Sequence, residues 1–134
     1  KIKGVYILEM IGFFSEQPIQ SYPVGLKWIY PSHGNFIATV SNVSSRDLGA
    51  GYCAAMQQLD QLECQRLVAP SFANAFDFSD HLNYWEFDIP AVMITDTAFY
   101  RNSHYHTKAD RLATLNLTKM ANVIDGLVQH LLKP

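Results

Sequence analysis

An α/β domain with a mainly parallel or mixed sheet flanked by helices is what this 134-residue sequence predicts, and three observations carry the prediction. Short apolar runs rich in β-branched residues alternate with segments of helical period, as layered α/β folds require. No internal repeat is visible. The chain closes on Leu117 to Leu132, where Leu117, Met120, Ala121, Ile124, Leu127, Val128 and Leu131 recur at three- and four-residue steps, the stripe of a helix that covers a sheet. At this length residues 1–134 read as a single domain.

The elements follow in order. Gly4 to Phe14, GVYILEMIGFF, reads as a central strand with one acid, Glu9, inside it. A carboxylate there is costly unless paired, protonated or metal-bound; the plainer reading puts its head group in water at the strand end. Ser15 to Gly34 carries Pro18, Pro23, Gly25 and Pro31 and reads as a long loop, of a length that usually has a function. Asn35 to Ser41 is a second strand. Ser44 or Ser45 offers an N-cap, with Asp47 in the first turn, to a helix carrying Leu48, Tyr52, Ala55, Met56, Leu59 and Leu62 on one face. Gly49 and Gly51 weaken its start. Arg66 to Ala69 is a short strand stopped by Pro70. Phe72, Phe76 and Phe78 in SFANAFDF read either as a plug beneath a loop or as the wall of an apolar pocket. Ser79 then caps a short helix that turns Leu82, Trp85 and Phe87 inward, and Pro90 ends it. Ala91-Val92-Met93-Ile94 is a buried strand, and Thr118 is a cap for the final helix.

Composition removes several function classes. The chain is 49% hydrophobic and 16% charged with a net charge of −2, and without a Lys/Arg cluster it is not expected to bind nucleic acid. No apolar run approaches the ~18 residues of a membrane span. No signal peptide is visible, because Lys1 leads almost directly into the first apolar run, and the start reads as a cut. Localisation is left unassigned. Cys53 and Cys64 fall in the same expected helix, where at ~1.5 Å rise per residue their Cα atoms would lie ~16 Å apart, so two reduced thiols are expected.

Chemistry concentrates in Asp88 to Leu112, where the apolar strand breaks into Thr95, Asp96, Thr97, Tyr100, Arg101, Asn102, His104, Tyr105 and His106. In open α/β sheets, sites gather just past the carboxyl ends of strands. Ser79-Asp80-His81 holds the letters of a hydrolase triad, but sequence neighbours cannot line up a proton relay and no Gly-x-Ser-x-Gly elbow is present. Asp80 and His81 read better as support for a nearby site. The cysteines lack metal-type spacing. The sequons at Asn42 and Asn116 are of a kind that arises by chance. His104-Tyr105-His106-Thr107 carries more, since Asp96 or Asp110 could orient an imidazole bound to a metal. Surface histidines are the plain alternative.

Taken together, Glu9 in LEMIGFF, Ser79-Asp80-His81 followed by Trp85, IPAVMITDTAFYRN at 89–102 and YHTKAD at 105–110 resemble, in order, the co-catalytic zinc aminopeptidases, which are related to the glutaminyl cyclases. The resemblance implies a zinc-exopeptidase-like sheet with two zinc ions at the carboxyl ends of its strands. It implies His106 as ligand to one ion and Glu9 as ligand to the other, and a peptide or small amino-acyl substrate whose α-amine anchors against the metal site. Phe72, Phe76 and Tyr105 are then candidates for the side-chain pocket, Arg101 or Tyr100 for polar positioning, and Asp80, His81, Asp96 and Asp110 for the surrounding shell. The family's remaining ligands, its bridging Asp and its general base come earlier in the chain and find no counterpart here. The expectation is therefore the C-terminal, truncated half of a zinc-dependent aminopeptidase, inactive by itself, with catalytic residues outside this chain. Two other readings stay open. One is a glutaminyl cyclase-like acyltransferase, against which Tyr105 speaks because the cyclases tend to carry Trp there. The other is a non-catalytic interaction or ligand-binding module that dimerises or pairs through an exposed sheet edge.

Overall fold

The computed structural model describes residues 1–69 and 79–133. Among them, four strands, β1 (Val5–Leu8), β2 (Phe36–Ser41), β3 (Glu63–Val68) and β4 (Ala91–Thr95), form one sheet in the order β1-β4-β2-β3. β1 runs parallel to β4 and β2 parallel to β3, while β2 and β4 are antiparallel, so the mixed sheet expected from the sequence is found. β2 and β4 are buried along their whole length, as central strands covered on both faces are.

Helices α1 (Arg46–Leu59), α2 (His81–Glu86) and α3 (Leu117–Leu131) complete the described fold. α1 packs across β2, β3 and β4, α3 lies beside α1, and α2 packs on β1 and β4. Ile37 and Ile94 from the sheet meet Tyr52, Met56 and Leu62 from α1 and its exit, with Val123 from α3, in one core cluster. The two long helices approach closely because each presents a glycine to the other. A Cβ at Gly51 would strike the His130 ring, and one at Gly126 the Met56 sulfur. These glycines cost helix propensity and gain contact.

Several expectations need correction. β1 ends at Leu8 rather than Phe14 and is an edge strand among the described residues. Hydrophobicity reports the burial of a strand's faces and says nothing about its hydrogen-bonding edges. α1 stops at Leu59 because Asp60 turns left-handed (φ 50°), with its N–H on the Met56 carbonyl. The chain then doubles back, and β3 starts at Glu63 instead of Arg66. Cys53 on α1 and Cys64 on β3 therefore stand 5.3 Å apart at Cα and form a disulfide. The expectation of reduced thiols fails because it carries the apolar period past the turn to Leu62, which is buried as part of the turn rather than of the helix. Ser79 does not cap α2, whose flanking residue is Asp80 without a side-chain cap bond. Phe87 points out, 77% exposed, and the residue α2 buries is His81. Asn116 rather than Thr118 caps α3, accepting from the Lys119 N–H.

Candidate functional site

β1 and β4 are parallel and in register, Leu8 beside Ile94, so both carboxyl ends open at one place. Glu9 is the first residue past β1 and its N–H still donates to the Ile94 carbonyl at 3.0 Å. The residue is half-buried, and its carboxylate receives a hydrogen bond from Ser79 Oγ at 3.3 Å. Glu9 therefore stands at the strand end, as its plainer reading has it, rather than inside a central strand.

Past β4 the chain turns sharply. Thr97 and Ala98 both take positive φ (76° and 49°), as do Met10 just past Glu9 (51°) and His106 (57°). Non-glycine residues rarely adopt this conformation, and such strain gathers at functional sites. A single-turn helix at Ala98–Tyr100 follows. Asn102, fully buried, accepts the His104 N–H on its side chain and anchors the loop to His106. His106 is exposed, and its ring stacks on Tyr105, centroids 3.8 Å apart and planes 17° from parallel.

On the sheet face turned away from α1 lies an apolar cavity of about 90 Å³. Its floor is Phe36, Ala38 and Val40 of β2, Leu67 of β3 and Met93 of β4. Tyr22, Leu26 and Tyr30 roof it, and Glu9, Phe99, Tyr100 and Tyr105 line it as well. The roof belongs to the long loop seen in the sequence, which is tied down at several points. Tyr30 Oη donates to the Arg66 carbonyl at 2.7 Å, Ser21 donates its N–H to the Tyr100 carbonyl at 2.7 Å, and Ser15 donates its own to the Gly34 carbonyl at 2.9 Å. Burial pushes the Tyr22 hydroxyl up to about 12, so it stays neutral at the cavity wall.

The expected residues divide accordingly. Glu9, Tyr100 and Tyr105 share the cavity, and His106 leans on Tyr105. Arg101, offered for polar positioning, is enclosed. It is 3% exposed and its Nη1 donates to the carbonyls of Phe13 and Phe36. Burial lowers its guanidinium to about 10, with Asp96 opposing that shift. Asp96 and Asp110 bond no imidazole among the described residues. Asp96 accepts N–H groups from Gly12, Phe13 and Ala98, and Asp110 is exposed in a turn closed on Thr107. Burial raises Asp96 to about 6 against the pull of those three N–H groups and of Arg101. His81 is enclosed, edge-on to Trp85 with centroids 4.6 Å apart. Asp80 flanks α2. Phe72 and Phe76 lie outside the described residues. Sequence reasoning missed Tyr22, Leu26 and Tyr30, whose only signal was aromatic and aliphatic content within a loop, and it missed Ser79 as the partner of Glu9.

One carboxylate and one imidazole are donors of the type zinc accepts. Among the described residues, however, no group of three or more His, Cys, Asp or Glu side chains could hold a metal ion. The donors fit zinc in kind and fall short of a four-coordinate site in number. No helix among the described residues is long and apolar enough to cross a membrane.

Known proteins resemble this chain. The sequence model of Peptidase family M28 matches residues 1–131. The uncharacterized protein YfbL of Escherichia coli (strain K12) is 44% identical over 129 residues, which make up 95% of this chain and 40% of YfbL. Two structures of LapA from Legionella pneumophila, one described as an aminopeptidase, superpose with TM-scores of 0.63 and 0.66 at 21% identity. They cover 96% of this chain and 30% of LapA, a likeness of fold. The chain thus spans less than half the length of the proteins it matches.

Proposed function

Since the chain belongs to peptidase family M28, we propose that it is the C-terminal portion of a zinc-dependent aminopeptidase acting on peptides or small amino-acyl substrates. The observation that supports this reading most directly is the shared cavity. Glu9, from the end of β1, and Tyr105, with His106 stacked on it, line one apolar pocket. LapA, whose fold the chain shares, is described as an aminopeptidase.

In this reading the pocket takes the side chain of the substrate's first residue, and its mostly apolar lining favours an apolar one. Glu9 and His106 each supply one ligand to a two-zinc centre, with Ser79 steadying the Glu9 carboxylate. The remaining ligands and the general base come from the part of the protein beyond this chain. Two donors do not complete a zinc site, so no water-activating step is assigned to these residues and the chain by itself is inactive.

The same reading gives the open edge of β1 a purpose. Among the described residues β1 pairs on one side only, and α3 leaves Leu117, Ile124, Val128 and Leu131 between 39% and 59% exposed. An unpaired edge and an exposed apolar helix flank each invite pairing with another segment or another copy.

The test compares the complete protein with the chain alone. Leucine p-nitroanilide should be hydrolysed by the complete protein, lost with a chelator and restored by zinc, while the chain alone shows neither activity nor stoichiometric zinc. Zinc held tightly by the chain alone would refute the division of the site, and a complete protein without activity on any aminoacyl anilide would refute the enzyme reading.

A further inference from the structure

Asp96 is, among the described residues, the one fully buried carboxylate at the ends of β1 and β4, and its hydrogen bonds are unusually placed. One oxygen, Oδ2, accepts the N–H groups of Gly12 at 3.0 Å and Phe13 at 2.7 Å, while Oδ1 accepts that of Ala98 at 3.0 Å. Its own backbone N–H donates to the Met10 carbonyl at 2.6 Å. The carboxylate thereby joins the segment that follows Glu9 to the segment that leads to Tyr105 and His106.

Both joined segments carry strained backbone. Met10 lies two residues before the first N–H that Asp96 binds, and Thr97 and Ala98, both at positive φ, are its immediate successors. Such conformations persist only where surrounding bonds over-determine them. Thr97, Ala98 and Phe99 all line the cavity, so the turn that Asp96 holds is also a cavity wall. We propose that Asp96 is a positioning residue, whose two carboxylate oxygens set Glu9 and the Thr97–His106 loop in the mutual register that the reaction uses. The inference rests on the proposed function for what the register serves, and on the hydrogen bonds alone for the clamp itself.

The energetics agree. Asp96 is 1% exposed, and burial makes it a weaker acid despite three N–H donors. A buried charge is a poor way to gain stability. A neutral side chain with one acceptor would be cheaper to bury, but it could not serve both sides of the junction. Arg101 is the charged group facing it from the following turn, and that guanidinium is already engaged with Phe13 and Phe36.

Amide hydrogen exchange on the complete protein tests the clamp. In Asp96→Ala, exchange at Gly12, Phe13 and Ala98 should rise by about tenfold or more, as expected for the loss of charge-assisted hydrogen bonds, with Ile37 and Ile94 unchanged. Asp96→Asn keeps one acceptor, so only one side of the junction should loosen. In the complete protein, Asp96→Asn should lower kcat on leucine p-nitroanilide by about tenfold with KM nearly unchanged, the mark of misplaced groups. A uniform rise in exchange across the core, identical behaviour of the two variants, or an unchanged kcat would overturn the proposal. If the wild-type protein hydrolyses nothing, the functional reading falls by itself and the exchange pattern still decides whether the clamp exists.

Discussion

Arg101 Nη1 donates to the Phe36 carbonyl at 2.9 Å, across 65 positions of sequence. The same nitrogen reaches the Phe13 carbonyl at 3.2 Å, while Nε donates to Gln20 Oε1 at 2.7 Å. A side chain that the sequence offered for substrate positioning thus ties the end of the Glu9 loop, the roof loop and the start of β2 together.

Arg101→Met should therefore act on folding rather than on binding. Removing the guanidinium leaves buried carbonyls unsatisfied and the Asp96 carboxylate without the cation that faces it, a loss of roughly 3 kcal/mol or more. Urea unfolding of the chain would measure it. A variant of wild-type stability with a raised KM in the complete protein would return Arg101 to substrate binding.

Asp96 sets a pH dependence of opposite sign to that of most carboxylates. Its pKa in the folded chain is raised from 3.8 to about 6, chiefly by burial. Stability from this group is then fully present below the unfolded value and lost as pH rises through about 6. A displacement of that size corresponds to about 3 kcal/mol. Urea midpoints across this window should fall with rising pH, and the fall should flatten in Asp96→Asn. An equal slope in the variant would assign the effect to other groups.

The disulfide closes the turn between α1 and β3, with Cys53 and Cys64 separated by 11 positions. A cross-link over a loop of this size is worth about 3 kcal/mol in the chain-entropy account. Cys53→Ser with Cys64→Ser, or a thiol reductant, should lower the urea midpoint to match. If reductant leaves the midpoint where it was, the cysteines contribute nothing to stability.

Filling the cavity should alter selectivity. Ala38 forms part of the cavity floor, and Ala38→Leu adds a branched side chain to a space of about 90 Å³. In the complete protein, kcat/KM for leucine p-nitroanilide should fall by about tenfold or more relative to the alanine compound, in line with the worth of a few methylene groups in an apolar pocket. An unchanged ratio would place the first side chain of the substrate elsewhere.

Surface charge on α3 probes the open side of the molecule. Ile124→Lys with Val128→Lys should abolish self-association of the chain, read by size-exclusion chromatography with light scattering. A wild-type chain that is a clean monomer at all concentrations would count against pairing through this face.

Much of the fold was legible in the residues because burial leaves a period in the sequence. The Leu117–Leu131 stripe announced α3, the uninterrupted run at Ala91 announced β4, and the ordered motifs around Glu9 and His106 pointed to the family. What the residues left open depended on chain reversals and on partners far along the chain. The left-handed turn at Asp60 placed Cys64 beside Cys53, and no apolar period records a turn of that kind. Glu9 and Tyr105 came to one cavity only through the parallel pairing of β1 with β4, an edge-to-edge bond between backbones that carries no side-chain signature. Asp96 and Arg101 read as polar residues near a site in the sequence. Only the tertiary structure, by enclosing them and turning their hydrogen bonds onto backbone from other segments, made them the parts that hold the site together.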